Sequence, residues 1–578
     1  MNKHQKTVVF AMSIGIFLCM LDTTIMNIAL PAIQSGLNVS LDNLSWALNI
    51  YTIVFAVFTI PFGRFADLYG RNKIYVLGLI VFGIGSIISG LSGNAAFLIL
   101  GRGIQSVGAS VVFPASMTIG ISQASVEKRT QAILILGVTQ GLAAALGPTI
   151  GGIVTQYLGW RWVFLVNVPI LLIALILCLT ELDFQGEKKV NAKLDLSGSM
   201  MSMLFLFALT LALIKGRDWG WHSLSITGLF VISILSFVVF IYHEHKTDSP
   251  MINMKLFRYR QFNGSSLTAI LSQLFLVAVM VIMPTFLTRI QNETELTAAM
   301  LVTPISFMTF VCAPIVGLLV HKLGAKFTIF IGFLAMALAC YSFYHLDVSR
   351  NYWQLILTCM LLGIGYGIIV GPITVLAASD FQGELLTASQ SVIGVLKQLG
   401  SVLAVAIFVS GLTGNIGQAK LASVQYAKKQ IETLDVSETD RQAAINKAVD
   451  SIDQERSESN KPAISQAKER SMITAAYHQV LAQKHINERE LADPEKKAMT
   501  ASVTQSVKQR VNQINDDVKY KSTLIQNKTK ANMKEAFLSL YGWAFPFALA
   551  SCFIAFLFKG KARGFVHEKR RRHSGNYQ

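Results

Sequence analysis

Fourteen runs of about twenty apolar residues, parted by short polar stretches, constrain this chain more than any other feature of its sequence. A bilayer core about 30 Å thick takes roughly 20 residues of helix at about 1.5 Å rise per residue. Such runs fall near 7–30, 44–63, 74–92, 96–119, 132–155, 163–180, 197–214, 223–242, 263–287, 297–320, 327–344, 353–377, 386–412 and 534–558. Hydrophobic residues make up 52% of the 578 and charged residues 14%, a balance outside the range of soluble chains. The apolar run 163–179 excludes the in–out alternation of a membrane β-strand. The expected class is an all-α, multi-pass membrane protein. The first run is long and carries Asp22 with no small-residue cleavage site behind it, so it is expected to be a retained span and not a leader.

Basic residues of the short loops set the orientation. Lys3, Lys6, Arg64, Arg71, Lys73, Lys128, Arg129, Lys188, Lys189, Lys193, Lys255, Arg258 and Arg260 all fall on one side if the spans alternate, and that side is expected to be the cytoplasm, with both termini on it. Trp46, Trp160, Trp162, Trp219, Trp221 and Trp353 then lie at outer span ends, where indole rings favour the headgroup level; Trp543 lies deeper. The formal charge of +17 is explained by this membrane-surface clustering, so no nucleic-acid partner is expected. All six cysteines sit inside apolar runs with no metal-ligand spacing or disulfide framework. Residues 418–530 depart from the pattern: they are polar, rich in Lys, Glu, Gln, Ala and Ser, with Pro462 and Pro494 the only prolines. Helical spacing at Ile464, Ala467, Met472 and Ala475, and at Val503, Val507, Val511 and Ile514, predicts a few amphipathic helices, placed outside by the topology. Two readings are open for this insert: a helical lid over the outer mouth, or a module that docks an extracellular partner.

An internal repeat divides the rest. Gly63-Arg64-Phe65-Ala66-Asp67-Leu68-Tyr69-Gly70-Arg71 follows the second run, and Gly317 to Gly324, with His321 where the first copy has Asp67, follows the tenth. Glycines seven apart suit a tight turn between closely packed helices. Each copy lies between the second and third helix of a six-helix set if runs seven and eight are an inserted pair, and such duplication marks alternating-access carriers. The expected organisation is a first half over 1–180, a linker and inserted helices over 181–243, helices nine to thirteen of a second half over 244–417, an extracellular insert over 418–531, and the last helix with a basic tail over 532–578. Asp67 is either a latch between conformations or a local turn cap.

The loop 63–71 resembles the signature between helices two and three of the major facilitator superfamily. Four further motifs stand in order: Leu21-Asp22-Thr23-Thr24-Ile25-Met26-Asn27-Ile28-Ala29-Leu30-Pro31 is similar to the first-helix motif of its fourteen-helix drug:proton antiporter branch, and Arg102-Gly103-Ile104-Gln105 to the fourth-helix basic motif, with Ser106 where the family usually has glycine. Gly137, Gly141 and Gly147-Pro148-Thr149-Ile150-Gly151-Gly152 resemble the fifth-helix antiporter motif, and 159–169 the approach to helix six. The resemblance implies the major facilitator fold in a bacterial cytoplasmic membrane, with helices one and four lining a central cavity. It also implies export of small hydrophobic, cationic drugs against protons, and a bendable gate at Gly147, Pro148, Gly151 and Gly152. The plainer reading of that glycine face is close helix packing.

Charges inside spans are costly and are functional candidates by default. Asp22 lies about eight residues from the outer end of its span and Arg102 about six from the end of its own, both roughly 9–12 Å deep at about 1.5 Å per residue. A carboxylate there can trade a proton for a cation, which makes Asp22 the expected proton carrier, Arg102 the group that tunes it and Gln105 a supporting hydrogen-bond partner. The charge is expected to need a water-accessible pocket. The alternative is a static buried pair. Lys397 and Gln398, mid-span in the thirteenth run, are expected at the cavity, with Lys397 either a second coupling group or a side chain snorkelling to water. Asp380 and Glu384 fit a solvated loop. No Gly-x-x-x-x-Gly-Lys-Ser/Thr loop, metal cluster or nucleophile constellation is present in the sequence, so neither an enzyme nor a cofactor is expected. The rival to a drug exporter is an exporter of an endogenous lipid, peptide or siderophore, with the outer insert as its docking module.

Overall fold

The computed structural model describes residues 1–39, 41–125, 128–187, 195–247, 250–252, 254–347, 351–381, 384–434, 436–453, 466–484 and 492–558. Lys188, Lys189, Lys193, Pro462, Ile464 and the tail 559–572 lie outside them, as do the side chains of Asn27, Pro148, His321 and Glu384. Thirteen helices among the described residues are long and apolar enough to cross a bilayer. They lie in α1 (Lys3–Leu37), α2 (Leu41–Tyr69), α3 (Arg71–Gly90), α4 (Ala95–Gln123), α6–α7 (Trp162–Leu165, Asn167–Glu181), α8 (Leu196–Trp219), α9 (Leu224–Lys246), α10 (Arg260–Arg289), α11 (Glu295–Leu323), α12 (Ala325–Tyr344), α13 (Trp353–Ser379), α14 (Glu384–Ala404) and the end of α18 (Asp493–Ser551). The fifth predicted span is α5 (Arg129–Tyr157), whose described apolar stretch is Gln131–Ala143.

Local chemistry sets where helices start and stop. Asn2 and Gln5 form a reciprocal capping box on α1. The Asn94, Asp195, Ser223 and Thr294 side chains each accept the orphan amide three residues on, at the starts of α4, α8, α9 and α11. The two copies of the repeat end their helices alike: Gly70 (φ 114°) breaks α2 from α3, and Gly324 (φ 88°) breaks α11 from α12. A side chain with a Cβ is strained at such φ values, so glycine stands at both corners.

Packing repeats as the sequence does. In the first half α1 packs on α4, α5 and α7, α2 on α4, and α3 on α4 and α7. In the second, α10 packs on α13, α14 and the 3₁₀ turn Cys552–Leu557, α11 on α13, and α12 on α13 and that same turn. The halves meet reciprocally, α2 on α14 and α5 on α11, so that the second and fifth helices of each half face the fifth and second of the other. Helices α8 and α9 pair together, with α8 resting on α2 and α14.

The chain forms two compact units: residues 1–411 with 538–578, and residues 412–537. Composition alone points to an insert over 418–531. The difference arises because no helix stop ends the thirteenth span: α14 passes through one π-helical turn, Val405–Val409, into α15 (Ser410–Glu432), and α18 likewise runs unbroken from the polar segment into the last span. The second unit also holds α16 (Glu438–Asp453) and α17 (Gln466–Gln483). Val503, Val511 and Ile514 of α18 are buried as their spacing predicts. The buried face of α17, however, is Tyr477 and Leu481 with Ala476 and Val480, while Ala467 and Ala475 are exposed. Large side chains decide which face of a helix is buried, and alanines carry little area with which to oppose them.

Candidate functional site: a buried charge network between four helices

Asp22 and Arg102 meet. Asp22 on α1 is 0% exposed and Arg102 on α4 is 1% exposed, and an Arg102 Nη1 donates to Asp22 Oδ2. Gln105, one turn further along α4, donates from Nε2 to Asp22 Oδ1 at 2.8 Å and accepts from Arg102 Nη1 at 2.8 Å. Three residues apart on a helix is the spacing that sets two side chains on one face. The guanidinium has further partners: Nε donates to the Ala47 carbonyl at 3.3 Å, and the Tyr51 ring lies 4.2 Å beneath it.

Two further residues complete the network: Asn167, which lies in the 159–169 motif without a role read from it, and Ser86, which lies in no motif. Asn167 donates from Nδ2 to Asp22 Oδ1 at 3.3 Å and to Ser86 Oγ at 3.1 Å; Gln105 Nε2 also reaches Ser86 Oγ at 3.1 Å. Ser86 in turn donates to the Phe164 carbonyl at 2.9 Å. Asn167 is aimed inward by the break at Val166 between α6 and α7, which makes it the first residue of the new helix. Ser86 reaches Gln105 because α3 and α4 touch at Gly85, where a Cβ would overlap the Gln105 backbone nitrogen. Neither position is marked by periodicity, since a serine or asparagine in a span ordinarily satisfies itself on its own helix.

The carboxylate is thus held without solvent. The sequence leads to the expectation of a wet pocket around this charge; in the structure one cation and two side-chain amides do the work of water. Both oxygens of Asp22 accept hydrogen bonds, so the arrangement fits the ionised form. Oδ1 accepts from both amides, so a proton there would face a donor hydrogen, and a proton on Oδ2 would remove the charge that Arg102 pairs with.

The antiporter-like glycines lie beside it. Gly147 and Gly151 on α5 face α1 two turns or less from Asp22: a Cβ at Gly147 would overlap Thr24 Oγ1, and one at Gly151 would stand 2.9 Å from the Ile25 carbonyl. Gly152 turns instead to Leu296 of α11 (3.1 Å) and Gly141 to Thr309 (3.4 Å), so α5 touches its own half with one face and the other half with the next. Thr149 and Thr303 hydroxyls meet at 2.9 Å across that same contact. The side chains of Asn27 and Pro148 lie outside the described residues.

Lys397 sits apart from the Asp22 network. It is half-buried on α14 and donates from Nζ to Gln140 Oε1 of α5 at 3.0 Å, which ties the two halves through a neutral partner. Gln398 beside it is half-buried. Sequence reasoning misses Gln140, because a contact between halves leaves no trace in linear spacing. At the repeat loop Asp67 Oδ1 accepts from Arg71 Nε at 2.6 Å, and a Cβ at Gly63 would stand 2.6 Å from Ser391 Oγ of α14. Glu187 accepts from the Asn72 backbone amide at the start of α3, where the helix dipole favours an anion, and its carboxylate occupies the space above Gly70. Gly70→Ala is therefore expected to lower stability by about 1–3 kcal/mol, from backbone strain and the displaced Glu187. Thermal unfolding in detergent checks this, with Gly228→Ala, which meets nothing within 4 Å, as the unaffected control.

Comparison with known proteins gives the same family. The family model described as Major Facilitator Superfamily matches residues 12–405. The chain is 29% identical over 415 residues to the multidrug resistance protein Stp of Mycobacterium tuberculosis, covering 71% of this chain and 76% of that one. It is 29% identical over 419 residues to the multidrug transporter protein MdtP of Bacillus subtilis, covering 72% and 74%. It is 26% identical over 407 residues to the tetracenomycin C resistance and export protein of Streptomyces glaucescens, covering 70% and 76%.

Proposed function

The chain belongs to the major facilitator superfamily of transporters, and from that premise we propose that it exports hydrophobic, cationic drugs in exchange for protons by alternating access. The names of its relatives, two for multidrug resistance or transport and one for resistance to and export of a single compound, support drug export. The observation that carries the exchange mechanism is the fully buried Asp22–Arg102 pair closed by Gln105 and Asn167.

The exchange follows from charge. With Asp22 ionised, the pair is neutral and a cationic substrate meets no net repulsion from it. With Asp22 protonated, Arg102 is left as an uncompensated cation in a medium of low dielectric, and it opposes a second positive charge nearby. A proton and a cationic drug therefore compete for one protein, and linkage makes the competition reciprocal. Because the protonated form loses its ion pair with Arg102, it favours a different packing of α1 against α4, which gives proton uptake a hold on conformation. Gly147, Pro148, Gly151 and Gly152 act as the hinge face of α5 on α1 and α11. Gly63, Asp67, Gly70 and Arg71 act as the latch at the cytoplasmic end, and Asn27, Gln105, Lys397 and Gln398 border the substrate path. The Lys397–Gln140 contact is one that must part when the halves separate. Both termini face the cytoplasm in this reading, and the polar insert over 418–531 lies outside.

Inverted membrane vesicles test the proposal. An imposed proton gradient without ATP is expected to drive uptake of ethidium or tetraphenylphosphonium, with part of the gradient dissipated as substrate is added. Uptake that needs ATP, or that survives an uncoupler at full rate, contradicts it.

A further inference from the structure

We infer that a cavity beside the inserted helices is a binding site for an anionic phospholipid of the inner leaflet. The cavity encloses about 670 Å³ between α2, α8, α9, α14 and the linker that leads into α10, inside the roughly 300–1,000 Å³ range of pockets that bury most of a ligand's surface. Its two ends differ in chemistry. The deep walls are apolar, with Phe205 and Leu206 of α8, Phe240 of α9 and Leu399 of α14. The mouth is basic, with His245, Lys255 and Arg258.

The local fold explains that division. Met254–Arg258 is a 3₁₀ turn, in which residues three apart eclipse, so Lys255 and Arg258 stand over one another on one face, both exposed. The acid of the lining, Glu244, is 3% exposed and is engaged from within: it accepts from the Met251 and Ile252 amides at 3.2 and 3.1 Å and thereby folds the linker back to form the cavity. Its carboxylate thus holds the backbone, and Lys255 and Arg258 are the strong cations of the lining. On the far side the wall is open to the bilayer, since Phe237 of α9 lines the cavity while 43% exposed, on the helix with the least buried apolar window. An apolar slot that opens sideways to hydrocarbon and ends in stacked cations at headgroup level matches a phosphate headgroup with its acyl chain. A cationic drug fits the slot but meets the wrong charge at its mouth. The leaflet assignment rests on the orientation proposed above; the binding itself does not.

The test uses the full chain purified in mild detergent, with native mass spectrometry and thermal unfolding as readouts. Phosphatidylglycerol is expected to stay bound and to raise the melting temperature, whereas phosphatidylethanolamine and inorganic phosphate give little of either. Tetraphenylphosphonium is not expected to displace the bound lipid. Lys255→Gln with Arg258→Gln should abolish the preference for phosphatidylglycerol, and Ser202→Phe, which fills the slot, should weaken retention of both lipids. Equal retention of the two lipids by the wild type, the same stabilisation by phosphate alone, displacement by the cation, or an unchanged preference in the double variant overturns the site. If Ser202→Phe does not fold, the wild-type comparison still decides. Impermeant labelling of Tyr259→Cys in vesicles reads the orientation separately: a label from outside removes the leaflet assignment and leaves the binding result standing.

Discussion

Asp22→Asn is expected to abolish gradient-driven efflux while the protein still reaches the membrane. The substitution keeps the shape of the side chain and removes its charge, leaving Arg102 buried with the Ala47 carbonyl, Gln105 and the Tyr51 ring but no counter-ion. Removing one partner of a buried pair costs about 3–5 kcal/mol, so the melting temperature should also fall. A double variant separates the two effects. Asp22→Asn with Arg102→Gln removes both charges, so neither is left buried without its partner. Stability should therefore return while coupling to protons does not. If the double variant regains full driven efflux, the pair is a structural brace and the carrier lies elsewhere.

The next largest effect is expected at Gly147. Alanine there places a methyl group on Thr24 Oγ1, two residues along α1 from Asp22. Overpacking of this kind typically costs about 1–3 kcal/mol when neighbours can shift, and relief requires α1 to move away from α5, which disturbs the Asp22 network directly. Gly141→Ala, whose Cβ would stand 3.4 Å from Thr309 Cγ2 in ordinary contact, should be tolerated. Substrate efflux and thermal unfolding measured side by side check the contrast. A Gly147→Ala protein with wild-type efflux would mean that close packing of α5 on α1 is not required.

Much of this site is legible in the sequence. The depths of Asp22 and Arg102 follow from their distances to span ends, and the three-residue spacing of Arg102 and Gln105 puts both on one face of α4. The corner glycines Gly70 and Gly324 are legible for the same kind of reason, since a repeat of seven-residue spacing has to mark a repeated turn. Asn167 stands in the 159–169 motif, but its role and that of Ser86 are not legible, because they depend on a helix break at Val166 and on the approach of α3 to α4 at Gly85, both products of tertiary packing. Lys397 can be read as a candidate, but its partner Gln140 lies 257 positions away on another half. The continuity of α14 with α15 is hidden by a fall in hydropathy near Gly414 and Gly417, which ends the apolar run without ending the helix.

Proton release on substrate binding measures the competition at Asp22 most directly. Purified protein in weakly buffered detergent solution, monitored with a pH indicator from the acidic to the neutral range as tetraphenylphosphonium is added, should release protons in the wild type. Asp22→Asn should bind the same cation and release none. Equal release from both proteins would contradict the assignment of Asp22 as the group that exchanges its proton for substrate.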